Sequence, residues 1–340
     1  MTDDGRHVVQ RWNRLSAVFT SGFGGLALAL VFVPVLLSEN ATQKMTGLLI
    51  LVLLAAMWNA LAGYGGLVSV GQQAFIGLGA YGTVWLVNHN MNPYRAMIVA
   101  ALFCAAVSVP LSFLVLRLRG AQFAIGMWVV AEAAAIFVSL DQSLGAGTGT
   151  SLIALNYYSP GQRQEYTYWL TLGMTAFFLG LLFVLLRSRL GASLQAIRDD
   201  EEAAASLGVR VVAGKRILFV LAAAGCGAAG AMTLANSLFI EPSSIFGVQW
   251  TAYMIFMVLV GGLGTFEGPI IGAIVLFLIQ NHYGQSGVWY LVGLGGAAIL
   301  FALLLPRGVW GSVRDRFGIR LLPVGYRLRT LARPAAKAAE

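Results

Sequence analysis

Residues 187–216 read RSRLGASLQAIRDDEEAAASLGVRVVAGKR and are the longest polar interruption in an otherwise apolar chain of 340 residues. In the first part of this loop, Leu190, Leu194 and Ile197 recur at helical spacing, which predicts a short amphipathic helix. Such a helix at a membrane surface does not by itself indicate a partner. The pattern leaves two interpretations open, a solvated loop helix and a docking element.

The same loop predicts a second short helix directly after the first. Asp199 is placed to cap its start, and the Glu202 side chain, three residues on, to bond back to the cap. Gly208 follows where a helix of this length would end. Ala204 and Leu207 are three residues apart and would share one face.

The composition indicates a membrane protein. Hydrophobic residues make up 58% of the chain and charged residues only 11%, whereas soluble domains carry about 25% charged residues. Apolar runs of about twenty residues recur, and each is long enough to cross a hydrocarbon core of about 30 Å. We therefore expect an all-α polytopic membrane protein.

Ten apolar segments are predicted to be transmembrane helices. They cover residues 19–37, 46–62, 66–87, 96–116, 121–140, 166–186, 217–239, 249–260, 269–281 and 288–305. Residues 1–18 and 306–340 are then cytoplasmic tails on either side of a transmembrane domain at 19–305. Cys104 and Cys226 lie inside apolar runs and indicate small core residues rather than a disulfide or a metal site.

The distribution of basic residues supports this arrangement. With both termini in the cytoplasm, only Lys44, Arg95 and Arg163 of the 22 Lys and Arg residues face outward, as the positive-inside rule requires. The net charge of +8 therefore does not indicate nucleic-acid binding. The basic tail at 306–340 either lies on anionic lipid headgroups or only fixes the orientation of the chain.

Two glycine-rich segments, 61–82 and 259–274, share the pattern Gly-Gly-Leu-x-Ser/Thr. Such glycine density weakens a helix and favours a broken or re-entrant segment beside a cavity. Glycine-interrupted segments in corresponding positions are typical of transporter repeats, although a match of five residues could also arise by chance. The structural glycines that we expect are Gly65, Gly66, Gly71, Gly261, Gly262, Gly264 and Gly268.

Two groups of polar residues are candidates for a translocation path. Ser69, Gln72 and Gln73 would share one helix face, and Trp128 and Glu132, four residues apart, another. We expect both faces to border one cavity, because amide and carboxylate groups are unfavourable against lipid. The alternative is that both faces are packing seams between helices, with Glu132 as a hydrogen-bonded clamp.

Four stretches of this chain resemble the permeases of the branched-chain amino acid ABC importer family. Residues 187–208 resemble the cytoplasmic coupling loop of that family, including Glu202, Ala203, Ala204 and Gly208 of the importer motif Glu-Ala-Ala-x-x-x-Gly. GYGGLVSVGQQAFIGLGAY at 63–81, RGAQFAIGMWVVAE at 119–132 and GGLGTFEGPIIGA at 261–273 resemble three further family segments. The likeness covers roughly 45–312 and points to the larger, M-type permease of the pair.

The resemblance implies a multi-pass protein of the bacterial inner membrane. Its partners would be an H-type permease in a heterodimer, two ATP-binding cassette ATPases, a periplasmic solute-binding protein and the lipid bilayer. The chain contains no Gly-x-x-x-x-Gly-Lys-Ser/Thr motif, so we expect ATP and Mg²⁺ to bind the ATPases and this chain to be a permease, not an enzyme. The residues expected to couple to the ATPases are Arg198, Asp199, Asp200, Glu201, Glu202, Ala203, Ala204 and Gly208.

The solute and the energy source stay open at this point. Branched-chain or related amino acids are the first expectation, but Gln72 stands where family members usually have His, and the Ile-x-Leu-Pro that often follows the importer motif is absent. Relatives that carry urea, short amides or small carboxylates are therefore an alternative. A proton-coupled secondary transporter that uses Glu132 is another. The composition would also fit a channel, and only the loop argues against one.

Overall fold

The computed structural model of the protein describes residues 7–10, 22, 24, 25, 28–284, 287–305, 307–317 and 327–330. Helices dominate this part of the chain. They are α1 (Val33–Leu36), α2 (Glu39–Asn59), α3 (Gln73–Asn88), α4 (Pro93–Val115), α5 (Ala121–Leu140), α6 (Pro160–Arg187), α7 (Arg189–Asp199), α8 (Glu201–Ser206), α9 (Val211–Ser237), α10 (Pro242–Ile245), α11 (Gln249–Gly261), α12 (Gly268–Tyr283), α13 (Val288–Leu304) and α14 (Gly308–Phe317). The strands are β1 (His7–Gln10), β2 (Thr150–Ser151), β3 (Phe239–Ile240) and β4 (Arg327–Thr330).

The helix starts follow from local sequence. Pro93 and Pro160 occupy the first turns of α4 and α6, where a missing N–H group costs nothing. The Asn92 side chain accepts a hydrogen bond of 3.1 Å from the backbone N–H of Tyr94. At α6, Ser159 and Gln162 form a reciprocal capping box.

Seven helical stretches of the described residues, two of which combine consecutive α-helices, are long and apolar enough to cross a membrane. They are Glu39–Tyr64, Pro93–Val115, Ala121–Leu140, Pro160–Arg187, Val211–Ser237, Pro242–Gly261 and Trp289–Arg314. The predicted spans at 66–87 and 269–281 correspond instead to α3 and α12, of 16 residues each. The prediction of a helix from residue 66 was wrong, because residues 66–72 are not helical. The predicted span at 19–37 lies partly outside the described residues.

The centre of the bundle is formed by α2, α3 and α9. In the apolar windows of α2 and α9, 83% of residues are buried, against 22% for α5. Small residues bring α9 against α3: a Cβ at Gly79 would lie 2.0 Å from the Gly227 carbonyl oxygen, and one at Gly230 would lie 1.9 Å from that of Ile76. The small residues of α9 thus allow a close approach of the two helices.

The two long polar loops lie at opposite ends of α6. Its 28 residues extend about 42 Å at a rise of about 1.5 Å per residue. At one end, residues 141–165 are held by pairing of β2 with β3. The rings of Tyr94 and Tyr158 also pack edge to face there, with their centroids 5.4 Å apart. At the other end lies the 187–216 loop, which we call the coupling loop after the family segment that its sequence resembles.

The predicted tails contain some regular structure. β1 pairs antiparallel with β4. The C-terminal region begins as the helix α14, whose Gly308 is so close to Gly262 that a Cβ would lie 2.5 Å from its Cα. The rest of the predicted tails, residues 1–6, 11–18, 306, 318–326 and 331–340, lies outside the described residues.

Candidate functional site

The first helix of the coupling loop, α7, is fixed by burial of part of its apolar stripe. Ser188 caps it, with its hydroxyl accepting from the backbone N–H of Leu190 at 3.1 Å. Leu194 and Ile197 are 1% and 3% exposed, but Leu190 is 41% exposed. The predicted stripe therefore buries its last two positions and leaves its first at the surface.

The second helix, α8, begins one residue later than expected. Its N-cap is Asp200, whose Oδ1 accepts from the backbone N–H groups of Glu202 at 3.0 Å and Ala203 at 2.9 Å. The prediction that Asp199 is the cap was wrong, because α7 continues through Asp199 and the extended backbone falls at Asp200. Glu202 therefore contributes a backbone donor to the cap.

The end of α8 is where the sequence places it. Gly208 has a φ of +81°, the left-handed conformation that glycine adopts most readily after a helix, and the prediction is confirmed. Ala204 is 2% exposed and Leu207 is 84% exposed, so the two residues do not share a buried face. The reason is that α8 ends at Ser206, and Leu207 leaves the helical register.

Arg198 connects the coupling loop to the first glycine segment. Its Nη1 donates to the backbone oxygen of Gly63 at 2.8 Å, while Nε and Nη2 donate to Oδ1 of Asp199 at 3.0 and 2.8 Å. Its Cα also lies next to Gly66, where a Cβ would sit 3.5 Å away. Arg198 thus faces the membrane domain, and Asp199 orients it.

The two glycine segments each interrupt a helix at a glycine of positive φ. After α2, the chain makes a π-helical turn at Ala60–Tyr64, and both segments then reverse at the second glycine of Gly-Gly-Leu, Gly66 with a φ of +67° and Gly262 with +128°. The hydroxyl at the last position of each pattern accepts a backbone N–H: Ser69 from Gly71 at 3.4 Å and Thr265 from Gly268 at 3.1 Å. These shared geometries support the repeat hypothesis.

Asn59 joins the two segments and was not predicted from the sequence. Its Nδ2 donates to the Thr265 carbonyl at 2.8 Å, and its Oδ1 accepts from the backbone N–H of Gly264 at 2.9 Å. It is 1% exposed. The sequence feature that could have revealed it is a lone amide near the end of an apolar helix, two residues before the first glycine segment. A buried amide of this kind needs a hydrogen-bond partner.

Close backbone packing surrounds this junction. A Cβ at Gly63 would lie 2.3 Å from Asn59 Oδ1 and 2.6 Å from Gly264 N, and one at Gly264 would lie 3.0 Å from Arg198 Nη1. At the other predicted glycines, a Cβ would meet the following atoms: Leu218 Cδ2 at 2.7 Å for Gly65, Met127 O at 1.9 Å for Gly71, Gly268 O at 1.9 Å for Gly261 and Thr265 Oγ1 at 2.3 Å for Gly268.

The predicted path residues occupy two different environments. Ser69, Gln72 and Gln73 are 0% exposed, but Ser69 lies before the start of α3, so the prediction that the three share a helix face was wrong. The Gln72 amide donates to the Ser69 hydroxyl at 3.3 Å, and Gln73 Oε1 accepts from the Thr251 hydroxyl. Within the described part of the chain, Gln72 Oε1 is buried without a hydrogen-bond partner.

The second group lies on the outside of α5. Trp128 is 46% exposed, and its Nε1 donates to Glu132 Oε1 at 3.0 Å. Glu132 is exposed as well. Met127, one residue before Trp128, packs on Gly71. The two groups are therefore on opposite sides of this contact, one enclosed by protein and the other at the surface.

Two cavities lie elsewhere in the described structure. One of about 140 Å³ is polar and lies at the 141–165 end, where Arg163, Gln164 and Thr167 are among its lining residues. The other, of about 400 Å³, is mainly apolar and is lined by residues such as Tyr81 and Phe103. The predicted path residues do not line either of them.

A family model described as "Branched-chain amino acid transport system / permease component" matches residues 40–303. The chain is 27% identical over 323 residues, 87% of its length and 75% of the relative's, to the high-affinity branched-chain amino acid transport system permease protein LivM of Escherichia coli K12. It is 26% identical over 315 residues, 84% and 74% of the two lengths, to LivM of Salmonella typhimurium LT2. A solved structure of PsaBC from Streptococcus pneumoniae in complex with Fab is 15% identical, with a TM-score of 0.47 over 88% of this chain and 99% of that one.

Proposed function

Because the chain belongs to the family of branched-chain amino acid transport system permease components, we propose that it is a membrane subunit of an ATP-driven importer for branched-chain or related amino acids. Family membership makes it a transporter subunit in a membrane. The solute rests on the names of the two LivM relatives. Coupling to ATP hydrolysis rests on the geometry of the coupling loop.

The carrying observation is that α8 has one buried residue facing the bundle and an exposed outer side. Ala204 is buried, while Glu202 and Ala203 are exposed and Leu207 is 84% exposed. This outer side, with the Glu202 carboxylate and Leu207 together at the surface, is the part of the loop that we propose to receive a partner. The partner that we propose is an ATP-binding cassette ATPase.

The importer would contain this chain, an H-type permease, two ATPases and a periplasmic binding protein in the bacterial inner membrane. The ATPases would bind ATP and Mg²⁺. Their closure would displace the coupling loops, the two permeases would open outward to take solute from the binding protein, and hydrolysis would return them. This is alternating access: the importer has two states, and ATP and solute each have different affinities for the two states.

The outer face of α5 is proposed to border the path at the second permease. Glu132 lies among exposed apolar residues of a membrane span, including Val129 at 61% and Ile136 at 61% exposure. A carboxylate against lipid is costly, so this face is better matched to a protein contact or a water-filled path. The enclosed group around Gln72 would then line the path only if the glycine segments move.

The test of coupling is copurification of the ATPases from the native membrane. Leu207→Glu should remove most of the associated ATPase, while Tyr157→Glu serves as a matched control, because Tyr157 is 91% exposed at the opposite end of α6. If ATPase association is equal in both variants, α8 is not the docking surface.

The energy source separates this proposal from a proton-driven transporter that uses Glu132. Uptake should be inhibited by vanadate and should persist with an uncoupler when ATP is supplied. The opposite pattern would favour the proton-driven alternative. Identifying the ligand of the copurified binding protein would decide between amino acids and urea, short amides or small carboxylates.

A further inference from the structure

We propose that Arg198 and Asn59 are positioning residues that transmit movement of the coupling loop to both glycine segments. The inference rests on the proposed function, since it requires the loop to move with an ATPase. It adds the route by which that movement reaches the membrane domain. Arg198 bonds to the segment after α2, Asn59 carries the bonded link on to the segment after α11, and Arg198 also lies beside Gly264 of that second segment.

The first step is the hydrogen bond from Arg198 to the Gly63 carbonyl at 2.8 Å. Gly63 lies in the π-helical turn that ends α2, and such turns are weak points of a helix that recur at functional sites. Asp199 holds the other edge of the guanidinium at 2.8 Å. A planar guanidinium can make both contacts at once, whereas a lysine ammonium is a compact point charge with other geometry.

The second step is carried by Asn59, four residues before Gly63 on the same helix. Its amide binds both the N–H of Gly264 at 2.9 Å and the carbonyl of Thr265 at 2.8 Å. The two hydrogen bonds are made to backbone atoms of consecutive residues, so they fix the position and the orientation of the second segment. A single side chain thereby couples two stretches that are about 200 residues apart in sequence.

Close packing makes this route stiff. Gly63, Gly264 and Asn59 are so close that a methyl group at Gly63 would overlap both of the others. Packed interiors transmit small displacements because they contain little free volume. The segments also have exposed positions on which movement can be followed, Val68 at 51% and Leu263 at 49% exposure.

The route predicts an order of effects that a merely structural role does not. In the reconstituted importer, single cysteines at Val68 and Leu263 should change their rate of labelling by a small hydrophilic thiol reagent when ATP is added. Arg198→Met should abolish the change at both reporters. Asn59→Leu should reduce it more at Leu263 than at Val68. Both native cysteines are buried and should not obscure the reporters.

Solute uptake per ATP hydrolysed is the second readout. Arg198→Met, which removes the bond to Gly63 and both bonds to Asp199, should lower it severalfold, and Arg198→Lys should recover part of it. The matched control is Arg210→Met, since Arg210 is an exposed arginine in the same loop. It should keep both the labelling change and the stoichiometry.

The failures of the two proposals are distinguishable. If wild-type uptake does not depend on ATP, the proposed function is wrong. If wild type is ATP-driven but Arg198→Met keeps its labelling changes and stoichiometry, the route is overturned and the function stands. If Arg198→Met loses the ATPases, Arg198 belongs to the docking surface and the route is likewise overturned. Equal loss at both reporters in Asn59→Leu would overturn the order.

Discussion

The ammonium group of Lys215, in the first turns of α9, lies 2.6 Å from the Glu201 carboxylate at the start of α8. The Lys215 side chain is 13% exposed and that of Glu201 is 35% exposed. The pair closes the coupling loop between its short helix and the next membrane helix. Arg216, the next residue, donates to the Ser112 hydroxyl at 3.0 Å and so attaches the same turn of α9 to α4.

Lys215→Met should loosen α8 without unfolding the protein. A partly exposed ion pair contributes about 0.2–1 kcal/mol, so amide hydrogen exchange across 201–208 should become up to about fivefold faster. The double variant Glu201→Lys with Lys215→Glu should restore the wild-type rate. Unchanged exchange in Lys215→Met would show that packing of Ala204, and not the ion pair, holds α8 in place.

Asp200→Ala should destabilise α8 locally. Loss of an N-cap side chain costs about 0.5–2 kcal/mol, and the freed N–H groups are those of Glu202 and Ala203. Their exchange should accelerate. Asp199→Ala is the control, because that carboxylate binds Arg198; if it accelerated these two amides as much as Asp200→Ala does, the assignment of the cap would be wrong.

Gly79→Ala should lower the thermal unfolding temperature in detergent. The new methyl group would lie 2.0 Å from the Gly227 carbonyl oxygen, and α3 and α9 would have to separate. Overpacking of this kind typically costs about 1–3 kcal/mol. Gly173→Ala in α6 is the control, since nothing lies within 4 Å of its Cβ position. Equal unfolding temperatures for the two variants would contradict the close approach of these helices.

Cysteines at the predicted path residues should react in two classes. Cysteines at Trp128 and Glu132 should react readily in the isolated subunit, because both positions are exposed. A cysteine at Gln72 should be protected, since that position is 0% exposed. In the assembled importer, labelling at Trp128 should slow if the second permease covers α5. Undiminished labelling there in every ATP state would place this face against lipid or water alone.

The orientation of the chain is tested by cysteines at Tyr157 and Leu207. They are 91% and 84% exposed at opposite ends of α6. An impermeant reagent added outside intact spheroplasts should label the first position and spare the second. Labelling of both from the same side would contradict the predicted membrane arrangement.

The sequence predicts the helical architecture well, because in lipid the backbone N–H and C=O groups of each apolar run have to hydrogen-bond to one another within the run. It also predicts the end of α8, since Gly208 is the residue type that a left-handed turn favours. It could not decide between Asp199 and Asp200 as the cap. Both have suitable side chains, and the choice depends on which of the two leaves the helical backbone conformation.

The direction in which a face points was harder to predict. Periodicity correctly groups Trp128 with Glu132, but in a membrane protein the lipid-facing and the interior sides are both apolar. The usual alternation of polar and apolar residues therefore does not show which side is buried. The link through Asn59 could not be predicted either, because it depends on a contact with Gly264 that only the tertiary fold creates.

Pairing of β1 with β4 has a consequence for the parity of the membrane crossings. Two hydrogen-bonded strands lie on the same side of a bilayer, because a sheet with open edges is excluded from hydrocarbon. The chain between Gln10 and Arg327, which these strands bring together, must therefore cross an even number of times. Among the described residues, the seven long helices make an odd number, with or without the pair α3 and α12. An even total therefore differs from this number by an odd number, and reporters fused to the two ends of the chain should read out the same compartment.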